Sequence, residues 1–187
     1  MLKTIHVLAP FMEDGKLKEA YLKVIFNTET NTIENVIDLK GNSLYIVKLF
    51  ENAIFDKVKV YELRNYFADN RFIEAIIYKL TVITNDILAG KTNRLELDKV
   101  EQYVEEGYKL IDVREVDEYS QGHISNAKNI PLSQLGNRLD ELDTKEKYIL
   151  YCNSSSRSAQ AEKVLKSLGY DVYNLDGSYA FYKHYNK

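Results

Sequence analysis

The sequence predicts an α/β protein with a smaller amino-terminal domain and a carboxy-terminal domain built on a parallel sheet with helices on both faces. Its 187 residues suffice for one large domain or two small ones. A polar stretch that contains a glycine, residues 84–94, separates two regions of different hydrophobic pattern. After it, short apolar runs alternate with segments of helical period, which is typical of such a sheet. We therefore expect a first domain at 1–86, a linker at 87–94 and a second domain at 95–187.

Three strands are expected at the start of the first domain. An apolar run predicts the first strand at 5–8, and alternating apolar side chains predict the second at 20–26. The polar stretch 27–31 has the composition of a turn, so residues 33–39 are expected to form the hairpin partner.

The rest of the first domain changes period. Apolar residues at helical spacing predict helices at 46–53 and 73–80. Val58 and Val60 indicate a short strand, and the β-rich residues 81–83 indicate another. The predicted order is thus β-β-β-α-β-α-β. This order resembles the ribonuclease H-like fold of the nitrogenase cofactor-accessory proteins in topology alone, so it predicts no function for this domain.

The second domain is expected to alternate strands and helices. Its strands are predicted at 95–97, 109–113, 148–151 and 172–175. Its helices are predicted after a capping-box pattern at Asp98 and Glu101, near 116–120, along the leucines of 132–142, from 161 to Gly169, and at 179–185. Sheets of this kind bind ligands at the carboxyl ends of their strands, and Cys152 lies at such an end.

Charge and composition exclude several classes of function. The chain has 25 Lys and Arg and 28 Asp and Glu, so its net charge of −3 gives no general electrostatic reason to bind nucleic acid or an anionic membrane. The most apolar window, residues 72–90, is interrupted by three charged side chains, so no membrane span is expected. A single cysteine excludes an intrachain disulfide and an all-cysteine metal site, and it favours the reducing cytoplasm. The three histidines have no metal-ligand spacing, so no metal is expected.

The segment that follows the predicted strand 148–151 carries the candidate chemistry. Cys152 ends the strand, and a loop of small polar residues leads into a helix. Backbone N–H groups of such a loop and the helix N-terminus stabilise an anion, including a thiolate. A lone cysteine is more often a buried core residue, but this context favours a functional one. We predict Cys152 and Arg157 as catalytic residues, and a substrate-binding loop of Asn153, Ser154, Ser155, Ser156 and Ser158.

A larger set of residues carries a family resemblance. These residues are 110–115, 118–119, 122–124, 127–131, 151–159, 168–170 and 172–177. In this order and spacing, residues from about 95 to 187 resemble a rhodanese domain, the sulfurtransferase fold. The resemblance implies that Cys152 carries a persulfide, that the loop from Cys152 to Arg157 is the active-site cradle, and that no cofactor is required.

Other residues of the motif receive structural interpretations. Asp112 and Arg114 are expected to brace the neighbouring loops through hydrogen bonds rather than to contact substrate. His123 is expected to be structural. Ser155 stands where the family often has glycine, so its backbone is expected to adopt a positive φ less freely.

Three functional hypotheses remain open on the sequence. The first is a sulfurtransferase that takes sulfur from thiosulfate, a polysulfide or a protein persulfide and passes it to a thiol, including a partner protein's cysteine. The second is a phosphatase or arsenate reductase on the same fold. The resemblance implies one more residue between cysteine and arginine in those enzymes, and the four residues found here, 153–156, favour sulfur. The third is a sulfur-sensing or binding module whose first domain recognises a partner.

Overall fold

The computed structural model describes residues 1–185, and the chain divides into two compact units, Met1–Ala89 and Gly90–Lys187. Residues 186 and 187, which the sequence analysis includes in the second domain, lie outside the described residues. In the part of the chain that is described, no helix is both long and apolar enough to cross a bilayer.

The first unit contains a three-stranded antiparallel sheet in the order β1-β2-β3. Its strands are β1 (Leu2–Glu13), β2 (Lys16–Asn27) and β3 (Thr32–Asp38). Asp14 and Gly15 join β1 to β2 with positive φ angles of 51° and 72°, the backbone of a type I′ hairpin turn. Alternate residues of β2 are buried, as predicted, because one face of the sheet packs on the helices.

Two long helices cover one face of this sheet. They are α1 (Leu44–Phe55) and α3 (Glu74–Leu88), and a four-residue helix, α2 (Leu63–Tyr66), lies between them along the chain. The buried side chains of α1 and α3 recur at helical spacing and join those of the strands in a single hydrophobic core. The two predicted helices of this unit are therefore confirmed.

Two predicted strands of the first unit are wrong. Val60 begins a 3₁₀ turn, and the segment makes one isolated antiparallel bridge, between Thr32 and Lys59. Residues 81–83 lie inside α3. There the Thr81 hydroxyl donates to the Ile77 carbonyl at 2.9 Å, so its hydrogen-bonding capacity is met within the helix. Burial of the α3 stripe thus overrides local β propensity. Without these two strands, the resemblance to the ribonuclease H-like fold loses its basis.

The second unit is built on a five-stranded sheet in the order β4-β8-β7-β5-β6, and every neighbouring pair is parallel. The strands are β4 (Arg94–Leu95), β5 (Lys109–Asp112), β6 (Lys128–Asn129), β7 (Lys147–Tyr151) and β8 (Asp171–Leu175). The helices are α4 (Val100–Glu105), α5 (Val116–Ser120), α6 (Ser156–Ser167) and α7 (Ser178–Tyr185). Separate hydrophobic clusters cover the two faces of the sheet. The predicted fold class, α/β with a parallel sheet between helical layers, is confirmed.

Three local differences from the predicted elements follow from short-range geometry. Asp98 lies in a 3₁₀ turn, Leu97–Lys99, that precedes α4, and no capping box forms there. The leucines of 132–142 lie on two 3₁₀ turns, Leu132–Asn137 and Leu139–Glu141, instead of one α-helix. Strand β6 has two residues, too few to show a hydrophobic period. In addition, α3 extends two residues into the predicted linker, and β4 begins at its last residue.

Candidate active site

The candidate site lies where the carboxyl ends of three neighbouring strands meet. Cys152 follows directly after β7, the central strand of the sheet, while Asp112 ends β5 and Asn174 lies near the end of β8. All three side chains are buried, and Cys152 is only 1% exposed. The parallel sheet therefore brings residues that are far apart in the sequence to the same edge.

The loop from β7 to α6 turns at Ser155, whose φ of +67° lies in the left-handed region. This is the conformation that favours glycine, and an L-residue pays for it in backbone energy. The buried Ser155 hydroxyl compensates in part, because it donates to the Leu175 carbonyl at 3.2 Å and lies 3.0 Å from Ser178 Oγ. The position thus adopts the positive φ that the sequence analysis expected to be less accessible to serine.

The sulfur of Cys152 faces α6. Ser158 Oγ, in the first turns of that helix, lies 3.6 Å from Cys152 Sγ and donates to Asn174 Oδ1 at 2.8 Å. On the backbone side, the N–H of Cys152 donates to Ser178 Oγ at 3.3 Å, and its carbonyl accepts from the N–H of Tyr179 at 3.0 Å. The loop is therefore bonded to the start of both α6 and α7.

The five predicted loop residues divide into two groups. Ser155 and Ser158 are buried and contact the residues around Cys152. Asn153 and Ser156 are exposed, and Ser154 is half-buried. The second group therefore forms the solvent side of the loop.

Arg157 is held by Glu118 of α5 through two parallel hydrogen bonds. Its Nη2 lies 2.7 Å from Glu118 Oε1 and its Nη1 lies 2.5 Å from Oε2. The hydrogen bond to Glu118 is the main cause that raises the pKa of Arg157, and the neighbouring Cys152 adds to it. The same bond lowers the pKa of Glu118 below its usual 4.5. Arg157 therefore remains charged and ties the loop to α5.

Asp112 and Arg114 form a buried ion pair beside the site. Arg114 Nη2 donates to Asp112 Oδ2 at 2.6 Å and to the Gly122 carbonyl at 2.7 Å, and its guanidinium carbon lies 4.1 Å from the ring centre of Tyr179. These contacts join the end of β5 to the loop after α5 and to α7. They have the geometry of the expected bracing role.

His123 stacks on Tyr119, with ring centres 3.8 Å apart, and its Nδ1 lies 3.0 Å from the Tyr119 carbonyl. These contacts fit the expected structural role. Among residues 1–185, no group of three His, Cys, Asp or Glu side chains could hold a metal ion.

Sequence reasoning assigned no role to three residues that contact the site: Glu118, Asn174 and Ser178. Glu118 stands inside the matched motif, and Asn174 is a polar residue in a short apolar strand, so both positions carried a signal. Ser178 has a positive φ of 55° and gave no recognisable pattern. Their contacts with Arg157, Ser158 and Cys152 depend on the folded sheet.

Comparison with known proteins gives a family for this arrangement. Residues 96–184 match the family model described as a rhodanese-like domain. Among curated relatives, an uncharacterized protein of Bacillus subtilis, YqhL, is 48% identical over 37% of this chain and 56% of its own length. The thiosulfate sulfurtransferase PspE of Escherichia coli is 38% identical over 32% of this chain and 60% of its own length. Rhodanese-like domain-containing protein 17 of Arabidopsis thaliana is 30% identical over 51% of this chain and 71% of its own length.

The chain spans little more than half the length of the first two of these relatives. One solved structure, that of reduced Bacillus anthracis CoADR-RHD, matches 97% of this chain and 34% of its own, with a TM-score of 0.80 and 24% identity. At that identity the likeness concerns the fold alone. It extends over the first unit, for which the sequence suggested no family by its residues.

The left-handed backbone at Ser155 predicts an unusual order of variant stabilities. Ser155→Gly and Ser155→Ala both lose the hydroxyl, but only alanine keeps a Cβ in the strained conformation. The glycine variant should therefore be more stable by about 1 kcal/mol, measured by urea unfolding. At exposed Ser156, which begins α6, the order should reverse because glycine disfavours a helix. If the alanine variant of Ser155 is at least as stable as the glycine variant, the inference that the backbone is strained at this position is wrong.

The Arg157–Glu118 pair predicts a pH-dependent contribution to stability. Because the folded pKa of Glu118 lies below its usual value, the contribution is complete above pH 4.5 and is lost as the pH falls through the lower, folded value. Glu118→Gln should lower the free energy of unfolding at pH 7, by at most about 1 kcal/mol for this half-exposed pair. The difference from the parent should shrink toward zero in acid. Asp117→Asn, an exposed change in the same helix, is the control, and a pH-independent difference for Glu118→Gln would contradict the pairing.

Proposed function

This chain belongs to the rhodanese-like family, and we propose that it is a sulfurtransferase that moves sulfane sulfur through a persulfide on Cys152. The observation that carries the proposal is the position of the Cys152 sulfur. It lies at the end of the central strand, within reach of a buried hydroxyl and ahead of the loop that begins α6. Backbone N–H groups of such a loop and the helix N-terminus favour a negative charge on sulfur.

In the proposed reaction the Cys152 thiolate attacks the outer sulfur of a donor such as thiosulfate. A bond forms between the two sulfurs, the bond from the outer sulfur to the sulfonate breaks, and sulfite leaves with the electron pair. The persulfide then carries its negative charge on the outer sulfur. In the second step an acceptor thiolate or cyanide attacks that outer sulfur, and Cys152 leaves as the thiolate.

Arg157 and the loop are proposed to hold the charged sulfur. Cys152 contributes to the raised pKa of Arg157, and Glu118 fixes the plane of the guanidinium, so the positive charge is positioned before substrate arrives. Thiosulfate and the persulfide are both anions, so the same charge serves both half-reactions. We propose a small sulfur donor and a thiol acceptor, including a cysteine of a partner protein, as the reaction partners.

The size of the loop favours sulfur over phosphate or arsenate. Four residues separate Cys152 from Arg157, and two of them, Asn153 and Ser156, are exposed on its rim. A tetrahedral oxyanion presents more oxygen atoms than a single outer sulfur, and it therefore needs a wider ring of N–H donors. Hydrolysis of aryl phosphates without any sulfur transfer would favour the phosphatase alternative.

Loading with sulfur is the direct test. Incubation with thiosulfate should add one sulfur atom to the intact mass of the chain, and Cys152→Ser, which is nearly isosteric, should add none. Release of thiocyanate from thiosulfate and cyanide should fall to background in the same variant. Ser167→Ala, an exposed change at the far end of α6, should leave both readouts unchanged. Turnover retained by Cys152→Ser would contradict the proposal, and loading without turnover would favour a sensing module.

The single cysteine predicts a long-lived persulfide. These 187 residues contain no second thiol to attack the outer sulfur, so discharge requires an external nucleophile. After the donor is removed, the mass of the loaded form should persist, and an added small thiol should return it to the mass of the free chain. Rapid loss without any acceptor, at a rate independent of protein concentration, would contradict this requirement.

A further inference from the structure

We infer that Asn174 is a positioning residue for sulfur transfer, which acts on the Cys152 sulfur through the hydroxyl of Ser158. The inference rests on the proposed function, because it concerns the charge that this sulfur carries when the persulfide is discharged. It assigns a role to a buried amide whose oxygen has a hydrogen-bond partner and whose nitrogen has none in the described part of the chain.

Asn174 is an amide in an apolar setting. It is fully buried in β8, on the face of the sheet that α6 covers, and its neighbours along the strand are hydrophobic or aromatic. Its Oδ1 accepts from Ser158 Oγ at 2.8 Å, but among residues 1–185 its Nδ2 has no hydrogen-bond partner. A buried N–H without a partner is costly, and this cost points to a use for the amide nitrogen.

Ser158 stands between this amide and the sulfur. Its Oγ lies 2.8 Å from Asn174 Oδ1 and 3.6 Å from Cys152 Sγ, and a hydroxyl has one proton to donate. While that proton points to Asn174, the oxygen can only accept from the sulfur. This arrangement suits the neutral thiol, whose S–H donates to Ser158 Oγ.

When Cys152 is a thiolate, the hydrogen bond between Ser158 Oγ and Cys152 Sγ must run in the opposite direction. The ionised sulfur has no proton, so it is stabilised only if the Ser158 hydroxyl donates to it. Rotating the Asn174 amide by 180° places Nδ2 where Oδ1 lies, and Nδ2 then donates to Ser158 Oγ and releases the hydroxyl proton toward Sγ. The rotation leaves a buried carbonyl oxygen without a partner in place of the N–H, which proteins tolerate better. The amide nitrogen thereby gains the partner that it lacks.

The direction of these hydrogen bonds matters most in discharge. When an acceptor attacks the outer sulfur, the bond between the two sulfurs breaks, and its electron pair goes to Cys152 Sγ. A hydroxyl that donates to Sγ stabilises this leaving thiolate as the charge develops. Asn174 fixes the hydroxyl in that direction without contacting the substrate.

The experiment measures the discharge half-reaction alone. Full-length chain loaded with one sulfur is mixed with cyanide at saturating concentration, and loss of the added sulfur is followed by mass. Ser158→Ala and Asn174→Leu, whose side chain has the same number of heavy atoms as asparagine, are each expected to slow the rate constant by about tenfold, the worth of one hydrogen bond to a charged atom. Ser167→Ala, on the exposed side of α6, is the matched control.

The double variant Ser158→Ala/Asn174→Leu distinguishes positioning from simple packing. If Asn174 acts through Ser158, the double variant is no slower than Ser158→Ala, so the two effects are fully coupled. If Asn174 contributes only to packing, its replacement still slows discharge when Ser158 is absent, and the two factors by which the rate constant falls multiply in the double variant. That result would overturn the inference.

Asn174→Asp provides a second, polar variant of the same shape. A carboxylate accepts the Ser158 proton as Oδ1 does in the structure, but it cannot donate to the hydroxyl. The inference therefore expects slow discharge in Asn174→Asp, and discharge at the parent rate would overturn it. If the parent chain itself takes up no sulfur, the proposed function fails instead, so the two failures are distinguishable.

Discussion

The position of one sulfur atom depends on the turn between β7 and α6. Between Tyr151, the last residue of β7, and Ser156, the first residue of α6, the chain turns at Ser155, whose backbone is left-handed. The turn leads directly into the first turn of α6, and it brings Ser158 to the sulfur. The buried Ser155 hydroxyl, held between the Leu175 carbonyl and Ser178, offsets part of the backbone strain at this point.

Around this turn the site is braced from three directions. Glu118 holds Arg157 from the side of α5, the Asp112–Arg114 pair joins the end of β5 to Tyr179, and α7 begins on the carbonyls of Cys152 and Asn153. Two of these braces come from the connection of β5 to α5, and the third comes from the connection of β8 to α7 in the same sheet. The loop after β7 therefore owes its shape to long-range contacts more than to its own sequence, which consists mostly of small polar residues with weak preferences.

The sequence predicts the parts of this structure that have a period or a motif. The parallel sheet and the place of Cys152 follow from strands that are apolar throughout and separated by helical stripes. The strand predicted at 81–83 is wrong because burial of Ile77 and Leu80 extends α3 through β-branched residues. The contacts of Glu118 and Asn174 could not be predicted, because both residues reach the loop across the sheet. Their identity is visible in the sequence, whereas their partners become visible only in the fold.

The burial of the single thiol also determines how this site responds to oxidants. An oxygen added to the Cys152 sulfur would give a sulfenic acid, which most cysteines relieve by forming a disulfide with a neighbour. These 187 residues offer no such neighbour, so recovery from that state requires an external thiol, the same class of reagent that would unload a persulfide. Access of small thiols to Cys152, which is 1% exposed, would thus govern both the proposed turnover and repair. A loaded sulfur would also shield the cysteine, since an oxidant then meets the outer sulfur first.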